Sequence, residues 1–223
     1  MIGLLGGAVV FAVAWRWPRR AAQLLIVVFV ALAVALPFVP PTRGAVIWLG
    51  TEAPWLRTSA LHRLIIWRFT SDRIAERPAL GWGMDASREM PGGKTDIRDY
   101  IDLAPGTLPN ISRGGAVMPL HPHDAILQWW VELGILGAVL GCGVFAWTAW
   151  RAGAWRAPSP AARAAALAVV SAAISPLLLS FGIWQAWWQS TLWLVAALVI
   201  AVAAPAVPAQ AVRDETAGEQ TSP

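Results

Sequence analysis

Charge is scarce in this chain. Asp, Glu, Lys and Arg make up 13% of its 223 residues, 57% are hydrophobic, and the mean hydropathy is +0.55. That balance excludes an ordinary soluble domain and is the profile of an integral membrane protein. Cysteine is nearly absent. The single Cys142 lies inside an apolar run, so no intrachain disulfide is available, and its expected role is that of a small buried apolar side chain. The first apolar run, Ile2 to Trp15, has no basic residues before it and no small-residue cleavage site after it, which argues against a secretory signal. No spaced set of carboxylates resembles a metal site, and no metal, cofactor or nucleic-acid partner is expected.

What the chain does have is apolar runs of spanning length. A transmembrane helix needs about 20 mostly apolar residues. Ala21 to Val39 meets this, bounded by Arg19 and Arg20 before it and Pro40 and Pro41 after it. Further runs extend from about Ile126 to Trp150, Ala164 to Gly182 and Ser190 to Val207. Ile2 to Trp15 is short for a span and reads as a helix whose beginning is missing. The expected fold is all-α, a polytopic transmembrane helix bundle of about five spans. It divides into two N-terminal membrane helices (1–39), a long outer loop (40–124), three membrane helices (125–207) and a disordered cytoplasmic tail (208–223).

Orientation follows from the short loops. Arg16, Arg19 and Arg20 crowd one connection and Arg151, Arg156 and Arg163 another, which assigns both to the cytoplasm. The 40–124 loop then faces outward. The Trp184 to Trp188 turn shares that side, where its tryptophans suit the interfacial aromatic belt. The polar tail with Asp214, Glu215 and Glu219 reads as disordered and cytoplasmic.

Long loops on a rigid scaffold are commonly functional. Within this one, Ala60 to Arg77 places Leu61, Leu64, Ile65, Phe69 and Ile74 at helical spacing with charges between, as an amphipathic helix at the membrane surface or against the bundle does. Pro78 stops it, and Gly81 and Gly83 punctuate a turn. From Met84 to Met118 the sequence is polar and glycine-rich, and an irregular, mobile segment is expected. Trp55 and Trp82 are candidates for stacking on sugar rings or for interfacial anchoring.

Pro119 to Gly137, PLHPHDAILQWWVELGILG, is the most informative stretch. His121 and His123 precede a spanning helix, with Pro122 fixing the backbone between them. If the helix starts near Asp124, then Asp124, Gln128 and Glu132 share one face. An acidic residue there is expected to face the bundle interior or a watery cavity. Gly134, Gly137 and Gly141 allow a neighbouring helix to approach closely.

These residues resemble the signature of the O-antigen ligase and O-antigen polymerase superfamily of bacterial membrane glycosyltransferases, a His-Asn followed by Leu-Gln, Glu-x-Gly and a further Gly. His123, Leu127, Gln128, Glu132, Gly134 and Gly137 match, and Asp124 stands where Asn is usual. Arg63-Leu64 with Trp67, then Pro78, Gly81 and Gly83, is similar to a second stretch of that family, and Ile183-Trp184-Gln185 with Trp187 and Trp188 to a third. The likeness covers about Arg57 to the final helix, the carboxy-terminal portion of family members with roughly a dozen spans.

The resemblance implies transfer of a glycan from a polyprenyl diphosphate carrier to an acceptor hydroxyl, on the periplasmic side of the bacterial inner membrane. The acceptor is the lipid A core or another glycan, and membrane lipids surround the site. Such attack needs a base within reach of the hydroxyl, for which histidine has the nearest-neutral pKa. The departing diphosphate needs bidentate cationic donors, the strength of arginine. His123 is the expected base and Arg63 the expected diphosphate ligand, with His121, Arg68 and Glu132 as further substrate-binding candidates and Arg57, Arg73 and Arg77 in reserve. Glu132 has the competing reading of a buried structural hydrogen-bonding group. Ligase, polymerase and protein O-oligosaccharyltransferase share the signature, and a non-catalytic membrane module is the reading from a different class.

Overall fold

The structure, a computed structural model, describes residues 1–53, 55–102 and 114–203, with side chains to residue 201. The expected disordered tail (208–223), the last residues of the fourth apolar run, and Pro105 and Gly106 of the outer loop lie outside the described residues. Among the described residues there are eight helices, one 3-10 turn and no strand beyond an isolated antiparallel bridge, Asp96 with Ala116.

Helices α2 (Pro18–Ala35), α6 (Ala125–Ala154) and α7 (Pro160–Leu179) are long and apolar enough to cross a membrane, and α1 (Ile2–Arg16) and α8 (Ala186–Ala203) are shorter apolar helices. Their outward residues are themselves apolar: Leu24, Val27, Val139, Leu140 and Trp193 are all exposed, a distribution that only hydrocarbon surroundings favour. Proline starts α2 and α7 at their first positions, and the Ser159 hydroxyl caps α7 by accepting from Ala162 N at 3.1 Å. Helix α1 packs on α7 through glycine: a Cβ on Gly3 would lie 2.7 Å from the Ala172 carbonyl oxygen, so a larger residue would force the helices apart.

The outer loop is more structured than its composition predicts. Thr42 caps a helix that the apolar pattern does not announce, α3 (Arg43–Glu52), through a 3.1 Å bond from Ala45 N. The expected amphipathic helix is α4 (Thr58–Glu76), with Leu61, Ile65, Ile66, Phe69 and Ile74 buried. These pack with Phe29, Val46, Ile126, Trp130 and Val131 into the larger core. The polar stretch expected to be irregular and mobile is irregular over most of its described residues, 84–102 and 114–118, but these are held by backbone hydrogen bonds and buried apolar side chains. It forms a 3-10 turn (Ala86–Glu89) and a short helix α5 (Ile97–Tyr100). Ile97 N, Val117 N and Met118 N donate to Gly115, Thr95 and Gly93 carbonyls, and Met90, Ile97, Ile101, Val117 and Met118 are buried. Five apolar side chains anchor the segment, a contribution that its mean polarity conceals. A second core of Ala14, Ala21, Ala22, Ala164 and Leu167 closes the opposite end of the bundle.

Candidate functional site

The site is assembled at the N-terminal end of α6. Asp124 Oδ1 caps that helix by accepting from Leu127 N at 2.9 Å. The four-residue period then turns Asp124, Gln128 and Glu132 inward, where all three are buried. Burial raises the Asp124 carboxyl to about 7, against the lowering effect of its hydrogen bonds from Leu127 N and Ile126 N. Burial thus shifts this cap away from the full charge of an ordinary aspartate, in the direction of the uncharged asparagine usual in the resembled signature.

Helix α6 is not continuous, as the apolar run predicted. It breaks at Gly134, where φ is 64° and ψ −156°, a conformation essentially reserved for glycine. The turn after α4 fills the break. Trp82 N donates to Val131 O at 2.9 Å, Gly83 N to Glu132 O at 2.8 Å, and Ile135 N to Pro78 O at 2.9 Å. A Cβ on Gly81 would lie 2.4 Å from the Glu132 carbonyl carbon, and one on Gly134 2.3 Å from Ala79 O. The Pro-x-x-Gly-x-Gly turn and the Glu-x-Gly of α6 are therefore the two halves of one backbone joint. Gly137 and Gly141, expected to admit a neighbouring helix, are instead abutted by Leu133 and Trp129 from the first half of the same helix.

Glu132 lies beneath this joint and is fully buried. Its Oε1 accepts from Ser87 Oγ at 2.6 Å and Gln128 Nε2 at 3.1 Å, and its Oε2 from Asp85 N at 3.0 Å and from Trp184 Nε1. Gln128 Oε1 in turn accepts from Ile183 N at 2.9 Å. These contacts leave Glu132 no surface for a substrate and make it the point where the 85–87 turn, α6 and the α7–α8 connection are tied. Trp184 points inward to Glu132, and Trp188 is buried. Of the three tryptophans expected in an aromatic belt, Trp187 alone is exposed.

Above the hub stands the histidine turn. Trp67 Nε1 of α4 donates to Pro122 O at 3.0 Å, and His123 N donates to His121 Nδ1 at 3.1 Å. His123 holds φ at 58°, a sparsely populated value for a non-glycine residue. Its Nδ1 lies 2.7 Å from Ser180 O. A carbonyl oxygen only accepts, so Nδ1 carries the proton and Nε2 of the neutral ring presents a lone pair. Burial lowers the His123 pKa, opposed by the Ser180 bond and reinforced by the charges of Arg63 and His62. Burial likewise takes His121 down to about 4, helped by His123, Arg88 and Arg63. The two rings lie 4.2 Å apart between centroids.

Arg63 sits one helical turn before Trp67 and so on the α4 face that meets the histidine turn. It makes no ion pair among the described residues, and its charge reaches both histidines. Arg68 is placed elsewhere: its Nη1 donates to Pro41 O at 3.2 Å, and its charge acts on Tyr100, whose hydroxyl donates to Asp72. Arg73 pairs with Glu76, and Arg77 covers the ring of Trp82 at 4.1 Å, leaving that face closed to a sugar. Ser87, Asp85, Ser180 and Arg88 were not singled out from the sequence. Only Trp184 carried a signal, through the Ile-Trp-Gln stretch. Among the described residues no group of three or more His, Cys, Asp or Glu is placed to hold a metal ion.

Comparison with known proteins gives a consistent result. The chain is 39% identical over 82 residues to a protein of Rickettsia conorii named "Putative polysaccharide ligase", covering 37% of this chain and 18% of the relative. A protein of the same name from Rickettsia felis is 30% identical over 146 residues, 65% of this chain and 33% of the relative. One from Rickettsia bellii is 26% identical over 197 residues, 87% of this chain and 45% of the relative. The chain thus spans less than half the length of these relatives. No solved structure matches it. The sequence profile described as O-antigen ligase matches residues 1–142, a stretch that takes in Arg63, the Pro78–Gly83 turn, the histidine turn and the broken helix, and the chain accordingly belongs to the O-antigen ligase family.

Proposed function

We propose that this membrane protein acts in glycan transfer from a polyprenyl diphosphate carrier to an acceptor hydroxyl, at the periplasmic face of a bacterial inner membrane. The observation that carries this reading is the Nδ1 bond of His123 to Ser180 O, which leaves Nε2 as an acceptor beside the charge of Arg63. In the proposed step, Nε2 takes the proton of the acceptor hydroxyl as its oxygen bonds to the anomeric carbon. The bond from that carbon to the diphosphate breaks, and the polyprenyl diphosphate leaves with its new negative charge facing Arg63. His121, whose Nδ1 is engaged by His123 N, offers its remaining ring N–H to the substrate. Arg68 and Glu132 act as positioning residues, Arg68 tying α4 to Pro41 and Glu132 tying three connections beneath the histidines.

The test is a chromosomal His123→Ala replacement, read by the surface glycolipid profile and by the amount of the protein in the membrane. Loss of capped lipopolysaccharide with normal protein level is the expected outcome for a ligase, and capping by single repeats is the signature of a polymerase. An unchanged profile removes His123 from the mechanism.

A further inference from the structure

The end of the bundle remote from His123 concentrates positive charge without counter-charge. Arg16, Arg19, Arg20, Arg151, Arg156 and Arg163 fall on two connections, and no aspartate or glutamate occurs in residues 1–51 or 133–213. Folding brings the connections together: Trp17, Pro18, Arg19 and Arg20 face Arg156 and Arg163 across a cavity of about 390 Å³. Among the described residues none of these four arginines has an ion pair. Arg163 Nε is buried with no hydrogen-bond partner there. Like charges around one space raise each other's free energy unless an anion occupies it.

Two further features select the anion. Helix α2 begins at this cavity with Pro18 and no side-chain cap, so its free N–H groups and dipole are directed to the same space and favour phosphate oxygens. From Arg20 the helix continues with exposed Leu24 and Val27, an apolar flank along which acyl chains lie, and half-exposed Trp17 is the ring type found at headgroup depth.

We propose that the cavity binds the phosphate headgroup of an anionic membrane phospholipid, held by Arg19, Arg20, Arg156 and Arg163, and that the lipid joins the α1–α2 connection to the α6–α7 connection. Guanidinium pairs suit a phosphate diester through bidentate bonds. A soluble phosphate offers the same oxygens but no chains for the α2 flank.

The experiment titrates phosphatidylglycerol, phosphatidylcholine or soluble glycerol 3-phosphate into the 223-residue chain in neutral detergent and follows its thermal unfolding midpoint. Phosphatidylglycerol should raise the midpoint, and the other two should not. Arg163→Gln and the surface variant Arg19→Gln should each weaken the phosphatidylglycerol dependence by about fivefold. Arg151→Gln, on the same connection but outside the cavity lining, should leave it unchanged. An equal weakening by Arg151→Gln would reduce the effect to general surface attraction and overturn the site. A rise with glycerol 3-phosphate would overturn the lipid. If neutralising Asp214, Glu215 and Glu219 lowered the lipid-free midpoint in the wild-type chain but not in Arg163→Gln, the cavity would belong to the chain's own acidic tail.

Discussion

Replacing Gly134 by alanine tests whether the break in α6 is built by the turn that fills it. The alanine Cβ would lie 2.3 Å from Ala79 O and 2.4 Å from Ala79 C, backbone atoms that cannot rotate away. The φ of 64° with ψ of −156° costs a non-glycine residue on the order of 1–3 kcal/mol. Expelling the turn removes the bonds from Trp82 N, Gly83 N and Ile135 N, each worth about 1 kcal/mol net. The combined loss is about 4–6 kcal/mol, a fall in the thermal midpoint of roughly 10 °C or more. Gly143 lies in the same helix with nothing within 4 Å of an added Cβ, so Gly143→Ala should be neutral or stabilising by up to about 1 kcal/mol. Both variants would be measured by thermal unfolding in detergent. If Gly134→Ala proved as benign as Gly143→Ala, the joint would contribute nothing and the close approach would be incidental.

Four other outcomes are expected. Arg63→Lys should lose most of the glycan transfer measured in membranes while keeping its charge, because a lysine cannot bind a diphosphate bidentately; full activity would reduce Arg63 to surface electrostatics. His123 must be neutral to act as a base and its pKa is lowered by burial, so activity should hold as pH falls through 6.5 and be lost only below it; a half-activity pH at or above 6.5 contradicts the neutral, buried ring. Glu132→Gln puts amide hydrogens among four donors and should cost about 2–3 kcal/mol of stability in the unfolding assay, whereas an unchanged midpoint would deny Glu132 its role as a hub. A topology reporter fused between Gly92 and Gly114 should respond outside the cytoplasm and one after Arg213 inside, and the reverse pattern would put the site on the wrong face for its donor.

The parts of this site that repeat with a period were legible in the sequence. Asp124, Gln128 and Glu132 at every fourth position declared an inward face, whereas Arg63 and Trp67 were marked only by the family resemblance, and it is the Trp67 bond to Pro122 O that turns their side of α4 to the histidines. Helix α3 was not legible, because Arg43 to Glu52 is too short and mixed to show a period and its cap at Thr42 is a single residue. The break at Gly134 was missed for another reason. Within an apolar run a glycine reads as a packing surface, and only the partner turn at Pro78–Gly83, more than 50 residues away in sequence, shows that the backbone leaves the helix there. The donors to Glu132 are also nonlocal: Ser87 is 45 residues away and Trp184 is 52. Such pairings follow from tertiary packing, which a one-dimensional pattern does not encode.

The interruption of α6 also sets how much helix is left to cross a bilayer. Beyond Gly134 the helix runs through residues 135–154, about 20 residues and so about 30 Å at 1.5 Å per residue, which matches the thickness of the hydrocarbon layer. That stretch is by itself long enough to cross a bilayer, so the preceding one, from Asp124 to Leu133, is surplus to the span. In the proposed orientation Gln128 and Glu132 are then spared the hydrocarbon, and the histidine turn stands at the membrane surface. The proposed donor, a sugar carrier anchored by its polyprenyl tail, would present its diphosphate at that same surface. On the proposed function it would reach the histidine by sliding in the plane of the membrane, without being lifted out of it or drawn into it.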